Sequence, residues 1–317
     1  MRILVTGAAG FIGSHLSEGL AGRGHQVVGL DCFTDFYARS LKQENARDLA
    51  GCGVEVHPLD LAKDDLAAIL DGVDVIYHCA AQPGISESTS FDEFLRDNLI
   101  ATQRLAEAAT RVDSLVAFVN VSTSSVYGEV ATENEKTPPK PTSNYGVTKL
   151  AAEQLVLSYQ RSKRLPACSL RLFSVYGPRE RPEKLYPRLI GSILRNEPFP
   201  LFEGSRDHSR SFTYVADIVS GLIAVLDHLD ACQGQIFNIG SDIEITTGQG
   251  IEIVEEIIGR SARIDVRPSR SGDQLRTHAD ITKARRVLGY SPETTALDGL
   301  RAEVEWYESR ILGNSNI

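Results

Sequence analysis

The chain predicts an α/β fold, a doubly wound parallel sheet with a smaller α/β companion, on three observations. An apolar run at 3–6 ends in a glycine turn and leads into a segment with helical spacing. The same strand-then-helix rhythm repeats as far as residue 173, and such alternation builds parallel strands with right-handed crossovers and helices on both faces. At 317 residues the chain exceeds the usual single core of roughly 250 to 300, so a second unit is expected.

The run 3–6 is the first strand, and 11–23 is the first helix, with Ile12, Leu16 and Leu20 on one face. Further strands are expected at 27–30, 54–58, 75–78, 115–121 and 168–173, with helical character at 61–70, 91–109 and 145–162. The rhythm breaks after Gly177, where Pro178, Pro182 and Pro187 punctuate the chain. Helices are expected at 185–195 and 217–229 around an irregular loop at 203–211, then a strand-like return to the first sheet at 236–240. The segments 248–258 and 281–288 read as helices around a strand at 263–267, and 313–317 as a loose tail.

Apolar content of 42% and 24% charged residues are ordinary globular values. A formal charge of -9 argues against nucleic acid or an anionic membrane as partner. The five cysteines are spread without Cys-x-x-Cys spacing, which reads as reduced thiols in a cytoplasmic protein without a disulfide frame. The seven histidines lack ligand spacing, so no metal is expected. No apolar stretch approaches the 18 or so residues of a membrane span, and with a strand opening at Arg2 no signal peptide is expected.

The first turn reads Gly7-Ala8-Ala9-Gly10-Phe11-Ile12-Gly13. Glycines at this spacing serve a tight turn, close approach of backbone to a pyrophosphate, and packing of helix on strand, while the helix opened by Phe11 and Ile12 turns free N–H groups toward the phosphates. Asp31, at the end of the second strand, is placed to accept from both ribose hydroxyls of an adenosine and to repel a 2'-phosphate, which favours NAD over NADP. A solvated strand-end turn is the alternative for that residue. Asp60 and Leu61 are candidates to bracket the adenine, and Ala80 and Ala81 are small enough to lie against the cofactor. Residues 1–176, with the return near 236–240, are thus expected to form a Rossmann-type NAD-binding domain, and 177–317 a substrate-binding one.

Tyr145 and Lys149 stand four apart and so share a helix face. A phenol titrates near 10, so a base working at neutral pH needs it lowered by roughly three pH units, about 4 kcal/mol. The lysine cation is expected to supply part of that, and the positive charge of an oxidised nicotinamide more. The cluster Thr123-Ser124-Ser125 gathers three hydroxyls at the end of an expected strand. The bland alternative for that cluster is hydroxyls satisfying backbone at a strand end.

The glycine turn, His78-Cys79-Ala80-Ala81, residues 122–128, Tyr145-Gly146-Val147-Thr148-Lys149, residues 170–178, residues 210–217 and Asn238-Ile239-Gly240 resemble, in order, the extended short-chain dehydrogenase/reductase family, the nucleotide-sugar epimerases and dehydratases. The resemblance implies tightly held NAD, a nucleoside diphosphate sugar between two domains, and transient oxidation at a sugar carbon. It implies Tyr145 as acid and base, Lys149 on the nicotinamide ribose, Thr123 as the third catalytic hydroxyl, and a homodimer through the helices at 91–109 and 145–162. It sets Arg210 and Arg276 near the diphosphate and Asp273 near the nucleotide ribose, with Arg179, Arg181 and Ser174 as further substrate candidates. Family dehydratases and decarboxylases carry an acid where this chain has Ser125, so re-reduction of the ketone, hence C4 epimerisation, is expected. Thr-Ser-Ser with Gly-Pro-Arg-Glu-Arg-Pro is similar to the UDP-glucuronate 4-epimerases, so UDP-glucuronate to UDP-galacturonate is the leading expectation. UDP-glucose 4-epimerisation and UDP-glucuronate decarboxylation follow, with an NAD-sensing regulatory protein as the non-enzyme alternative.

Overall fold

The computed structural model describes residues 1–84, 89–268 and 275–313. β1 (Arg2–Thr6) passes through the glycine turn into α1 (Phe11–Gly22), β2 (Gln26–Leu30), α2 (Arg39–Gly51), β3 (Glu55–His57), the short α3 (Ala67–Leu70) and β4 (Val75–His78). α4 (Phe91–Phe94) continues through a π-helical turn, Leu95–Ile100, into α5 (Ala101–Ala109). β5 (Ala117–Thr123) ends in a 3-10 turn, Ser124–Tyr127, followed by β6 (Val130–Ala131), α6 (Asn144–Arg161) and β7 (Ala167–Leu172). Then come β8 (Val175–Tyr176), α7 (Leu185–Arg195), β9 (Pro198–Phe202), β10 (Ser209–Arg210), β11 (Thr213–Tyr214), α8 (Val215–Ile223), α9 (Leu229–Cys232) and β12 (Ile236–Ile239). β13 (Ile245–Thr246), α10 (Thr247–Ile258), β14 (Arg263–Arg267), β15 (Arg276–Thr277), α11 (Thr282–Leu288) and α12 (Ala296–Trp306) follow, and a π-helical turn, Tyr307–Leu312, is the last described element.

Among the described residues, seven strands form one parallel sheet in the order β12-β7-β5-β4-β1-β2-β3, the doubly wound architecture the alternation predicts. Successive side chains alternate faces. Ile3 and Val5 pack with Leu16 and Leu20 of α1 on one side, while Leu4 and Ile76 pack with Leu105 of α5 on the other. A third apolar cluster lies apart, built from Tyr186, Leu189, Ile251, Leu300 and neighbours on α7, α10 and α12. β12 pairs in register with β7, and Ile281, Ala284 and Leu288 of the α11 region also pack onto the first face of the large sheet.

Two expectations need correction, and one helix was not expected. Between 61 and 70 only Ala67–Leu70 is helical: the Asp60 carboxylate accepts from Ala62 N–H at 2.9 Å and Asp64 accepts from Asp60 N–H at 2.7 Å, which holds a turn instead. The expected helix at 217–229 stops at Ile223 and tightens into a 3-10 turn before α9. α2 has no apolar stripe to reveal it, since its buried residues are Lys42, Asn45 and Leu49. Two of these are polar and bond to backbone, Lys42 Nζ to the Thr34 carbonyl at 2.9 Å and Asn45 Nδ2 to the Ala9 carbonyl at 2.9 Å. Their spacing is helical but hydropathy does not see it.

His78 closes β4 with no exposed surface, and each ring nitrogen lies 2.8 Å from a threonine hydroxyl, Thr6 on one side and Thr102 on the other. Burial, with a smaller contribution from the Lys149 charge, pushes its pKa down to about 3, so the ring is neutral when folded. Below about 6.5 the unfolded chain binds a proton here that the folded chain refuses. Stability is therefore indifferent to this residue above 6.5 and falls as pH drops toward 3, at up to about 1.4 kcal/mol per pH unit. Urea unfolding at a series of pH values should show wild type losing stability faster than His78→Gln between these limits, with parallel curves above 6.5.

Candidate active site

The carboxyl ends of β1, β2, β4 and β5 converge on one edge of the sheet, where open α/β sheets bind ligands. Gly7 there has φ +70°, and a Cβ on it would meet the Ala80 backbone at 2.9 Å. Gly13 is tighter still: a Cβ would stand 2.1 Å from the Gly7 carbonyl oxygen. Helix and strand can meet this closely only where both lack side chains. Gly10 occupies the N-cap of α1 and offers no side-chain cap, so Phe11 and Ile12 open the helix with N–H groups uncapped by any side chain.

Asp31 is buried at 7% exposure, and its carboxylate accepts from Ala9 N–H at 3.1 Å and Phe33 N–H at 2.8 Å. That uses about half of a carboxylate's roughly four acceptor sites and leaves the rest for ribose hydroxyls. Burial raises its pKa, tempered by the Phe33 N–H, the Lys42 charge and the Ala9 N–H. Ala80 donates its N–H to the Thr6 hydroxyl at 3.2 Å, and Ala81 is half-buried beside it. Asp60 is differently employed. Its carboxylate pairs with Arg96, and although burial opposes ionisation, the Ala62 N–H and Arg96 together hold it below the ordinary range. The Leu61 side chain is buried, and its carbonyl accepts from Arg104 Nε at 2.9 Å.

α6 delivers the tyrosine and the lysine. Ser143 caps it by accepting from Gly146 N–H at 3.1 Å. Gly146 lets its first turn lie on the end of β5, since a Cβ there would sit 2.7 Å from the Ser125 carbonyl. Lys149 is buried at 3% exposure and donates to the Val121 carbonyl at 2.6 Å. Burial brings its pKa down to about 8, against the raising influence of Cys79 and Glu153. Tyr145 is half-buried, its ring 6.2 Å from that of Phe94. Burial raises the phenol above its ordinary value, while a hydrogen bond with Thr123 and the charge of Arg181 pull the other way. The lysine cation expected to lower the phenol turns one of its three N–H donors to the Val121 carbonyl, and among the described residues Arg181 is the cation that lowers the phenol.

Thr123 Oγ1 accepts from Ser125 N–H at 3.1 Å and lies 3.2 Å from Ser125 Oγ, while Ser124 is buried beside them. Arg181 stacks its guanidinium 5.2 Å from the Phe36 ring, pairs with Glu183 at 2.7 Å and presses against Gly84. It therefore crosses from the segment after Gly177 to the loops that follow β2 and β4. Ser174 follows β7 and its carbonyl accepts from Thr213 N–H at 2.8 Å. Arg210 and Arg276 lie on the paired strands β10 and β15. The Arg276 guanidinium grips Glu244 with two bonds of 2.9 and 2.8 Å and holds that carboxyl below its usual range. Arg179 is drawn away, bonded to Glu18 at 2.7 Å and Asp48 at 3.1 Å on α1 and α2. Asp273 lies outside the described residues.

Sequence reasoning missed Gln82 and Asn98. Asn98, on the π-helical turn, accepts from Gln82 N–H at 2.7 Å and donates to Thr148 Oγ1 at 3.1 Å, locking α6 to the segment after β4. The buried Gln82 Nε2 and Ser122 Oγ have no partner among the described residues, as expected of groups lining a polar ligand's place. Gln82 extends the string His78-Cys79-Ala80-Ala81 by one residue, which was its only signal.

The model of the NAD dependent epimerase/dehydratase family matches residues 3–240. The chain belongs to that family. Among family relatives, an uncharacterized UDP-glucose epimerase YtcB of Bacillus subtilis (strain 168) is 42% identical over 99% of this chain and 100% of its own. UDP-glucuronate 4-epimerase 1 of Arabidopsis thaliana is 35% identical over 98% of this chain and 77% of its own. The crystal structure of UDP-glucuronic acid 4-epimerase from Bacillus cereus, in complex with UDP-glucuronic acid and NAD, superposes with a TM-score of 0.93 at 38% identity, covering 98% of this chain and 99% of that one.

The glycine cradle, the half-satisfied Asp31 and the uncapped α1 fit the NAD of this family. A Gly13→Ala substitution drives a methyl into the Gly7 carbonyl, a backbone atom, and overpacking of this kind costs roughly 1 to 3 kcal/mol. NAD affinity measured by calorimetry should fall about fivefold or more, with far-ultraviolet circular dichroism unchanged.

Proposed function

We propose that this family member epimerises a UDP-sugar at C4 while holding NAD throughout, with UDP-glucuronate and UDP-galacturonate as its substrate pair. The observation that carries the reading is the convergence at one strand end of Tyr145, Thr123 and Lys149 with Arg181, while Ser125 stands where an eliminating acid would be. When bound, oxidised NAD supplies a hydride acceptor and donor for C4 and a positive charge beside the phenol.

The protein's own groups do the rest. Tyr145 removes the C4 hydroxyl proton and returns it, and Thr123 shares a hydrogen bond that fixes the phenol oxygen. Lys149, anchored on Val121, stands ready for the nicotinamide ribose. Arg181 acts on the phenol that handles C4, so a carboxylate one carbon away at C5 falls within reach of its guanidinium and of the hydroxyls of Ser124 and Ser125. A carboxylate held by several donors is stabilised, which disfavours its loss as carbon dioxide. Arg210, Arg276 and Asp273 are our candidates for the UDP end, which tethers the substrate while the sugar turns over. The Arg276–Glu244 pair is exposed on the arginine side and screened by solvent, so a diphosphate can displace it.

In this reading residues 1–176 hold NAD and 177–317 hold the nucleotide sugar in a cytoplasmic enzyme. Exposed Phe91, Ile100 and Val147 on the helices at 91–109 and 145–162 support a homodimer through that face. A neutral UDP-glucose substrate is the second reading, favoured by the name of the Bacillus subtilis relative.

Proton NMR of products from UDP-glucuronate and from UDP-glucose tests the assignment. UDP-galacturonate with C6 retained is expected. A pentose with carbon dioxide overturns it in favour of decarboxylation, and turnover of UDP-glucose alone in favour of the neutral hexose. Ser125→Asp sets a like charge beside the uronate and should lower kcat/KM for UDP-glucuronate by roughly 1 to 3 kcal/mol, about five- to 150-fold, and for UDP-glucose much less.

A further inference from the structure

One turn beyond Lys149 on the same face of α6 lies Glu153, which has no exposed surface. Its carboxylate accepts from Arg171 Nη2 at 2.6 Å and Nε at 3.0 Å, and Arg171 is 1% exposed. The arginine is held in turn: it donates to the Tyr127 hydroxyl at 2.8 Å and stacks 4.8 Å from that ring, and Tyr127 donates to Asn238 Oδ1 at 2.8 Å. Arg171 pairs in register with Ser122 on β5, one residue past the carbonyl that takes the Lys149 ammonium and one before Thr123. The pair thus clamps α6 onto the strands that present the reacting groups. It touches neither cofactor cradle nor substrate candidate, and replacing a buried pair by neutral groups of similar volume is often harmless to stability. Packing alone does not explain a pair of charges here.

We propose that Glu153, fixed by Arg171, is a positioning residue that keeps Lys149 in its ammonium form at the reacting centre. Among the described residues, the charged and titratable groups around Lys149 are neutral His78 at the end of β4, Cys79 one residue beyond it, and Glu153 on α6, with Tyr145 one turn back on the same helix; β5 contributes the Val121 carbonyl. Around Glu153 they are Arg171 with the Ser169 hydroxyl on β7, and Tyr127 behind the arginine. The π-helical turn packed on α6 carries Arg96 and Asp97, which pair with each other. Cys79 and then Glu153 oppose the effect of burial on Lys149, but the Cys79 thiol is itself pushed up to about 12 and stays neutral, so the buried carboxylate one helical turn away is the anion that sustains the lysine's charge.

The inference rests on the reading of Lys149 as the cation of the reacting centre, and its test does not use turnover. The ammonium titration of Lys149 is followed by 13Cε NMR in protein labelled at lysine, the resonance being assigned by its loss in Lys149→Met. Glu153→Gln leaves the Arg171 charge unbalanced, and the midpoint should fall from about 8 by at least about one pH unit, a tenfold loss of ammonium above it. Glu153→Gln with Arg171→Met removes both charges, keeps the volume and folds if the single variant does not; its midpoint should lie between the single variant and wild type. A midpoint equal to wild type in the double variant, or in the folded single variant, overturns the proposal. An active Lys149→Met enzyme would instead overturn the role given to the lysine and leave the titration result standing.

Discussion

The bond of 2.6 Å between the Lys149 ammonium and the Val121 carbonyl governs the site, because it ties the helix that carries Tyr145 to the strand that carries Thr123. A buried ammonium without such a partner is costly. Around it the fold supplies what one bond cannot: Gly146 brings α6 against the Ser125 backbone, Asn98 locks Thr148 to the segment after β4, and Glu153 grips Arg171 on β7. Four attachments of different chemistry leave the phenol little freedom beyond its own rotamers. Preorganisation of that kind is what a proton transfer at a fixed carbon requires.

The electrostatics divide labour in a way that spacing alone did not reveal. Lysine four residues from tyrosine suggests a cation lowering a phenol, yet Lys149 faces a carbonyl, and burial leaves Tyr145 above its ordinary value. The protein cation that does act on the phenol is Arg181, from the far side of Gly177. In the proposed reaction basicity at Tyr145 is thereby coupled to Arg181, since an anion that engages the arginine also alters the charge the phenol feels.

The sheet was legible because its strands are short apolar runs punctuated by glycine and proline, and β4, α7 and β14 fall on their expected bounds. α2 was not legible because its inward residues are a lysine and an asparagine that bond to backbone, a pattern hydropathy does not register. The glycine turn could be read because only glycine survives a 2.1 Å approach, and Asp31 because it closes a strand. The arginines could not be told apart, since a guanidinium in a loop carries no sign of its partner. Arg179 turned to Glu18 and Asp48, Arg276 to Glu244, and Arg181 to Phe36 and the phenol.

Asp48 has a second suitor. Arg310, on the last helical turn described, also reaches it at 3.3 Å and bonds Glu44 at 3.1 Å, so α2 is gripped from two directions by residues more than a hundred positions downstream. The opposite flank of α2 braces the cofactor cradle through Asn45. One short polar helix is therefore a lever joining the distal terminus to the nucleotide loop.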